Sequence, residues 1–224
     1  MKTTNGKEIN LRAGIGVQTT QHQPNTAHET ERLKTFLALQ YKQIVGNDFT
    51  MTTELAPKFD AVANWFPNIN AGAKKNWLFL AGGCGLGKTV MAKSVCNVYN
   101  SLYCRNQFVF DWRKATAFKS TTALQIALEL GDNPQAFEMY SLFPKLMIDD
   151  IGVEPESVNN FGTKRNVIME ILSVRYDMNL PTIITTNLCL REPNQIVERY
   201  GERINDRLKE KAVLIAFVGN SFRK

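Results

Sequence analysis

Apolar residues are spaced in two ways along the chain, and the two spacings alternate. Short, nearly continuous apolar runs are typical of strands buried on both faces of a parallel sheet. Such runs occur at 77–81, 108–112, 145–151 and 212–218, and the segment 181–187 is a β-branched strand that finishes in a polar side chain. Between them, apolar residues recur three and four positions apart, which is typical of helices with one buried face. Strands that alternate with helices predict an α/β fold with a central parallel sheet flanked by helices.

The helical segments also carry stop signals. A proline follows the segment that ends at Phe66, and a glycine follows the segment that ends at Leu130. The predicted helices are 26–46, 53–66, 88–102, 114–130, 134–140 and 200–208. The segment 159–179 is predicted to contain one more, with Val167, Ile168, Ile171 and Leu172 on one face. A chain of 224 residues is long enough to bury one good core, and we predict that residues 47–224 form it.

The first 46 residues differ from the rest of the chain. Residues 1–25 mix Thr, Asn, Gln and Gly without periodicity and are predicted to be a flexible arm. Residues 26–46 are predicted to form an amphipathic helix, with Thr26 and Glu29 at capping-box spacing before an apolar stripe. Periodicity does not name the surface that covers this stripe, so packing on the chain's own domain and docking on a partner both stay open.

Composition narrows the class of protein. No apolar run approaches the roughly 20 residues of a membrane-spanning helix, and the polar N-terminus is unlike a secretory signal. We therefore expect a cytoplasmic protein that does not contact a membrane. The cysteines, Cys84, Cys96, Cys104 and Cys189, lack the spacing of a zinc site. The net charge of +6 permits nucleic acid binding, although the basic residues are scattered along the chain.

The turn after the strand at 77–81 carries the most specific motif. Residues 82–89 match the pattern G-x-x-x-x-G-K-[ST] at every fixed position. Glycines let successive backbone N–H groups surround a phosphate, and the following helix adds the positive end of its dipole. The predicted ATP cradle comprises Gly82, Gly83, Cys84, Gly85, Leu86, Gly87, Lys88, Thr89 and Val90. The alternative is a glycine-rich turn without a ligand, which the order of strand, loop and helix disfavours.

Five polar side chains have individual predicted roles in this site. Lys88 would reach the β- and γ-phosphates, and the hydroxyl of Thr89 would bind Mg²⁺. The strand at 145–151 delivers two acids to its C-terminal end, where open α/β sheets bind ligands. Asp149 would hold Mg²⁺, and Asp150 would orient or deprotonate the attacking water. Asn187, after the next strand, would hold that water or sense the γ-phosphate, although alone it also suits an ordinary turn.

The order of five motifs resembles the AAA+ ATPases of the DnaC/DnaI helicase-loader and IstB transposition-helper family. The motifs lie at 82–89, 146–152, 184–187, 201–208 and 219–223. The resemblance implies a P-loop NTPase of the AAA+ type without a C-terminal helical lid domain. It also implies ATP and Mg²⁺ as ligands, and a homo-oligomer with ATP at its subunit interfaces. The partners that it implies are single-stranded DNA and a replicative helicase or a transposase.

The resemblance assigns a role to two arginines as well. Arg203 and Arg207 are four residues apart, a spacing that puts them on one face of a helix. In the family, the second arginine of the matching segment completes the ATP site of a neighbouring subunit. Arg207 would then be an arginine finger and Arg203 would support it. Ordinary surface pairing with Glu202, Asp206 or Glu210 is the alternative.

Four functions are open on this sequence. The leading hypothesis is a DNA-dependent ATPase that resembles a bacterial replicative helicase loader. An IstB-type transposition helper would use the same site to remodel DNA for a transposase. A small-molecule P-loop kinase is a third possibility and would carry arginines in a mobile lid over the phosphates. The pair of acids and the arginine helix fit water activation and an arginine supplied by a neighbouring subunit better. A nucleotide-gated adaptor with negligible turnover is the remaining alternative.

Overall fold

Helices and strands alternate along the computed structural model, which describes residues 27–46, 49–70, 72–104, 111–133, 135–160, 163–191, 193–219 and 221. The helices are α1 (Ala27–Val45), α2 (Ala56–Trp65), α3 (Lys88–Tyr103), α4 (Ala123–Asp132), α5 (Gln135–Leu142), α6 (Val167–Asp177), α7 (Gln195–Tyr200) and α8 (Glu202–Lys211). The strands are β1 (Trp77–Gly82), β2 (Lys119–Thr122), β3 (Leu146–Ile151), β4 (Val158–Asn160), β5 (Thr163–Arg165), β6 (Thr182–Thr186) and β7 (Ala212–Phe217). None of the helices in these ranges combines the length and apolarity that crossing a lipid bilayer requires.

Five parallel strands form the central sheet in the order β2-β3-β6-β1-β7. β1 lies between β6 and β7, with Trp77 opposite Thr182 on one side and Ala212 on the other. The strands β4 and β5 form a separate antiparallel hairpin. Because the five strands are parallel, the C-terminal ends of β1, β3 and β6 lie side by side at one edge of the sheet. This arrangement confirms the predicted α/β fold with a parallel sheet flanked by helices.

Helices cover both faces of the sheet, which explains why most strand sequences are almost continuously apolar. Leu78 and Leu80 of β1 belong to one buried cluster, together with residues of α1, α2 and α3 such as Phe59. Trp77 and Phe79 belong to a second cluster, with residues of α4, α5, α6 and α8. Successive side chains of β1 therefore alternate between two cores and leave no polar face.

The helix α1 packs against α2 and α3. Leu37 and Tyr41 are its buried residues, and Lys34 forms an ion pair with Asp60 of α2 at 2.6 Å. Other apolar residues of α1 remain in solvent, among them Leu39. The chain itself thus covers one side of this helix. Docking of the exposed side on a partner stays a prediction.

Two predictions for the segment before β3 need comment. Most of the strand predicted at 108–112 lies outside the described residues, and Trp112–Lys114 forms a 3-10 helix. The helix predicted at 114–130 is wrong at its start, because Lys119–Thr122 is strand β2 and α4 begins at Ala123. Among the strands that the structure describes, β2 lies at the edge of the sheet and pairs with β3, and its residues form no apolar run.

The segment 159–179 contains a helix, as predicted. Its first residues belong to the hairpin of β4 and β5, and α6 begins at Val167. Asn166 sets this boundary, because its side-chain oxygen accepts a hydrogen bond from the N–H of Met169. α7 gives no clear periodic signal since its six residues make fewer than two turns.

Arg175 of α6 anchors the start of β6. Its guanidinium is fully buried and donates hydrogen bonds to Oγ1 of Thr182 at 2.9 Å and to the carbonyls of Phe143 and Pro181 at 2.7 and 2.8 Å. Burial lowers the pKa of this group to about 9, and the neutral oxygens replace part of the water that it has lost. β6 is therefore held at its N-terminal end by α6 and by the loop after α5.

Candidate nucleotide site

The phosphate loop, residues 82–89, joins the end of β1 to the start of α3. β1 ends at Gly82 and α3 begins at Lys88, so strand, loop and helix follow in the predicted order. Gly82 has a φ of 149° and passes so close to β7 that a Cβ would lie 2.0 Å from the carbonyl oxygen of Phe217. Only glycine fits at this position.

Helix α1 lies against the other end of the phosphate loop. Gly87 has a φ of 88°, and a Cβ there would lie 2.0 Å from the hydroxyl oxygen of Tyr41. The ring of Tyr41 packs against Phe49 and Phe59, with ring centroids 5.1 and 5.4 Å apart. Burial raises the pKa of Tyr41 to about 12, so its phenol is neutral near pH 7. Tyr41, which lies far upstream in the sequence, therefore packs directly against the phosphate loop.

Lys88 is almost fully buried at the start of α3. Its Nζ donates hydrogen bonds to the carbonyl oxygen of Gly83 and to Oδ1 of Asn187, both at 2.7 Å. These contacts hold the ammonium group between the phosphate loop and the end of β6. A buried ammonium group beside a glycine-rich loop that leads into a helix is an environment suited to a bound phosphate.

Asp149 is buried near the end of β3 and accepts hydrogen bonds from two hydroxyls. Its Oδ1 lies 2.9 Å from Oγ1 of Thr89 and 2.6 Å from Oγ1 of Thr185. A carboxylate and a hydroxyl are hard oxygen donors, and Mg²⁺ bound with a nucleotide takes few protein ligands besides phosphate oxygens and water. The residues present therefore fit Mg²⁺ held between Thr89 and Asp149.

Asp150 has a backbone conformation that is unusual for a residue with a side chain, with a φ of 53°. Its Oδ1 accepts a hydrogen bond from Nδ2 of Asn187 at 3.4 Å. Because Asn187 also accepts from Lys88, it connects this acid with the lysine of the phosphate loop. The structure thus brings Lys88, Asp150 and Asn187 together at the edge where β1, β3 and β6 end.

Arg203 and Arg207 have different environments on α8. Arg203 is exposed, whereas Arg207 is only 7% exposed. The Nη2 of Arg207 donates to Oδ1 of Asp177 at 3.0 Å, and its guanidinium lies 4.5 Å from the ring centroid of Tyr176. Its Nη1 is buried without a hydrogen-bond partner in the described part of the chain. Arg207 therefore packs on α6 of its own chain and is not part of the cluster around Lys88.

Two further residues near the acids lack a clear sequence signal. Thr185 bonds to Asp149, yet in the sequence it is only a polar residue within a β-branched strand. Glu154 is buried and accepts hydrogen bonds from the hydroxyl of Tyr200 at 2.6 Å and from Nε of Arg199 at 3.2 Å. Burial and the nearby Glu154 carboxylate raise the pKa of Tyr200. These bonds tie the loop after β3 to α7, which the sequence does not reveal because the partners are far apart.

Comparison with curated protein sequences gives no significant match. Among solved structures, the DnaC helicase loader is 19% identical, with a TM-score of 0.59, over 76% of this chain and 93% of that chain. DnaI is 21% identical, with a TM-score of 0.59, over 81% of this chain and 93% of that chain. AMPPCP-bound DnaA from Aquifex aeolicus is 18% identical, with a TM-score of 0.53, over 78% of this chain and 50% of that chain. These likenesses establish the fold.

A family match extends the comparison from fold to sequence. Residues 19–224 match the family described as IstB-like ATP binding protein. The matched range contains the phosphate loop, both acids, Asn187 and the arginines of α8. The family match and the shared fold together confirm the resemblance that the order of motifs indicates. The chain therefore belongs to the IstB-like family of P-loop AAA+ ATP-binding proteins, which shares its fold with the DnaC and DnaI helicase loaders.

Proposed function

We propose that the protein hydrolyses ATP and couples hydrolysis to the handling of DNA, in the manner of a bacterial replicative helicase loader. One observation carries the proposal, namely the hydrogen-bonded cluster at the edge of the sheet. Asn187 bonds to both Lys88 and Asp150, and Thr89 bonds to Asp149. Groups suited to binding phosphate, holding a metal ion and activating water therefore meet at one place.

Each residue of this cluster has a distinct task in the proposed reaction. Lys88 and the N–H groups of the phosphate loop bind the β- and γ-phosphates. Thr89 and Asp149 hold Mg²⁺, which when bound supplies positive charge against the phosphate oxygens. Asp150 accepts a proton from the attacking water, and Asn187 orients that water by a hydrogen bond.

The arginines of α8 are proposed to act between subunits of a homo-oligomer. Arg207 is paired with Asp177, whose side chain is 59% exposed. For this role the phosphate groups of ATP on a neighbouring subunit would have to draw the guanidinium away from both Asp177 and the ring of Tyr176. Arg207 would then be the finger, and Arg203 would support the interface from its exposed position on the same helix.

The Lys88→Ala protein is expected to bind ATP on the order of 10²-fold more weakly than the parent, because it loses the cation that faces the phosphates. Titration with a fluorescent ATP analogue measures this change. Lys93→Ala is the matched control, since Lys93 is an exposed lysine on the same helix α3. Parental affinity in the Lys88→Ala protein would contradict the proposed phosphate site.

Single-stranded DNA and a protein partner, either a replicative helicase or a transposase, complete the proposal. The net charge of +6 supports attraction to nucleic acid. Solved relatives of similar fold include a replication initiator, DnaA, bound to AMPPCP and single-stranded DNA, which is 18% identical with a TM-score of 0.53. DnaC is described as a helicase loader, and a replicative helicase is accordingly the proposed protein partner here.

Binding to single-stranded DNA is expected to weaken as the salt concentration rises. Contacts with backbone phosphates release counterions, and the logarithm of the binding constant should fall against the logarithm of salt concentration by about 0.7 per phosphate contacted. Fluorescence anisotropy with a labelled oligonucleotide measures this slope, and the duplex of the same sequence is the control for strand preference. An affinity that does not change with salt, or no binding at low salt, would argue against DNA contact through this chain.

A transposition helper is the second candidate function, and the IstB-like family match favours it. It would use the same ATP site and differ from a loader in its protein partner. A pull-down separates the two functions. The immobilised protein, with ATP present, is offered purified replicative helicase or purified transposase. Retention of the helicase would support a loader, and retention of the transposase would support a transposition helper. Family membership favours either ATPase over a small-molecule kinase.

A further inference from the structure

Thr185 contacts both acids of the candidate site from the neighbouring strand. It lies on β6 and is fully buried. Its Oγ1 donates a hydrogen bond to Oδ1 of Asp149 at 2.6 Å and accepts one from the backbone N–H of Asp150 at 2.8 Å. A single hydroxyl group is therefore bonded to the side chain of the first acid and to the backbone of the second.

The pairing of β3 with β6 explains why a side chain makes these contacts. β3 advances by three residues from Ile148 to Ile151, while β6 advances by two from Ile184 to Thr186. β3 thus has one residue more than β6 in this stretch, which makes a β-bulge at Asp149 and Asp150. Thr185 lies opposite the bulge. A backbone N–H within a bulge loses its regular ladder partner, and the hydroxyl of Thr185 takes the place of that partner for the second acid.

The bulge matters because it sets the direction of both carboxylates. Asp150 has a φ of 53°, in the left-handed region that is unfavourable for most residues with a side chain and therefore needs support from its surroundings. In this conformation its carboxylate meets Asn187. The other bond of Thr185 holds the carboxylate of Asp149 where it meets Thr89.

We propose that Thr185 is the positioning residue of the ATP site, and that its hydroxyl holds Asp149 toward Thr89 and Asp150 toward Asn187. The proposal deepens the proposed function and rests on it for the tasks of the two acids. The hydrogen bonds themselves do not depend on that function. A buried hydroxyl that only completes the bonding of β6 is the competing explanation, and the experiment below separates the two.

Three variants isolate the hydroxyl. Thr185→Val removes it with little change in shape, and Thr185→Ser keeps it. Thr186→Val is the matched control, because Thr186 is also buried on β6 and its hydroxyl also makes two bonds, to the carbonyl of Ile151 and from the N–H of Leu188. Neither of those bonds involves an acid, so this control reports the general cost of losing a buried hydroxyl from the strand.

The first measurement is hydrogen exchange of the Asp150 amide in the nucleotide-free protein, followed by NMR. Thr185→Val is expected to speed this exchange about tenfold, because the amide loses its acceptor. Thr185→Ser and Thr186→Val are expected to keep the parental rate. An unchanged rate in Thr185→Val, or the same increase in Thr186→Val, would overturn the proposal.

The second measurement is steady-state ATP hydrolysis with Mg²⁺. Thr185→Val is expected to lower kcat about 10²-fold, because displaced catalytic groups lose their alignment, while KM for ATP stays within about threefold. Thr185→Ser should restore kcat, and a Thr185→Ser protein as slow as Thr185→Val would overturn the proposal. If the parent itself does not hydrolyse ATP, the proposed function fails, whereas the amide exchange still decides whether Thr185 positions Asp150.

Discussion

The Asp150→Asn protein is expected to bind ATP as tightly as the parent and to hydrolyse it about 10²- to 10⁴-fold more slowly. The substitution keeps the size of the side chain and an oxygen that can accept the bond from Asn187. It removes the group that takes the proton from the attacking water. Binding is unaffected because the phosphate loop and Lys88 do not change. Nucleotide titration and single-turnover hydrolysis measure the two effects separately.

A matched control for this change is Glu156→Gln, which removes an acid of the same charge from an exposed position in the loop after β3. It is expected to hydrolyse ATP at the parental rate. Thermal unfolding of both variants checks that neither has lost its fold. Equal turnover by Asp150→Asn and the parent would contradict the assignment of Asp150 as the base.

The Arg207→Ala protein is expected to bind ATP almost normally and to hydrolyse it about 10³- to 10⁵-fold more slowly, the loss seen when arginine fingers are removed from phosphate-loop enzymes. A guanidinium on the neighbouring subunit would stabilise the charge that develops on the transferred phosphoryl group. Mixing Arg207→Ala with Lys88→Ala subunits should restore activity at interfaces that pair an intact phosphate loop with an intact finger. Hydrolysis by the mixture, relative to each protein alone, is the measurement.

Asp177→Asn distinguishes the finger from a structural role of Arg207. Within one subunit Arg207 is held by Asp177. If the role of Arg207 were purely structural, Arg207→Ala and Asp177→Asn should lower stability and activity alike. A finger predicts that Asp177→Asn keeps hydrolysis, because the guanidinium remains and is freer to leave α6. Activity per subunit that stays constant down to concentrations where the protein is monomeric would also contradict a role between subunits.

The core strands were predictable because burial on both faces favours an apolar run, as in β1, or a β-branched run, as in β6. The same reasoning fails for β2, whose four residues, Lys119–Thr122, are polar. β2 lies at the edge of the described sheet, and its pairing with β3 is a tertiary contact that no pattern within the strand indicates. The exact start of α6 within 159–179 also depends on one contact, because the side-chain oxygen of Asn166 caps the helix by accepting a bond from the N–H of Met169.

The candidate site shows the same division between local and distant information. Gly82 and Lys88 belong to one short motif whose geometry is encoded locally, so their places at the end of β1 and the start of α3 follow from the sequence. Thr185 gains its place only when a bulge in β3 comes opposite it, which depends on register. The pairing of Arg207 with Asp177 depends on how α8 packs on α6, and helix spacing carries no information about it.

Tyr41 lies against Gly87 from a helix that begins at Ala27, so the position of α1 and the shape of the phosphate loop are not independent. Two binding events that each favour a particular position of α1 must influence one another equally in both directions. If the exposed side of α1 docks on a partner, as predicted, and docking shifts the helix, the affinity for ATP would change by some factor. ATP would then change the affinity for that partner by the same factor. The strength of partner binding at the outer side of α1 would therefore depend on whether ATP is bound.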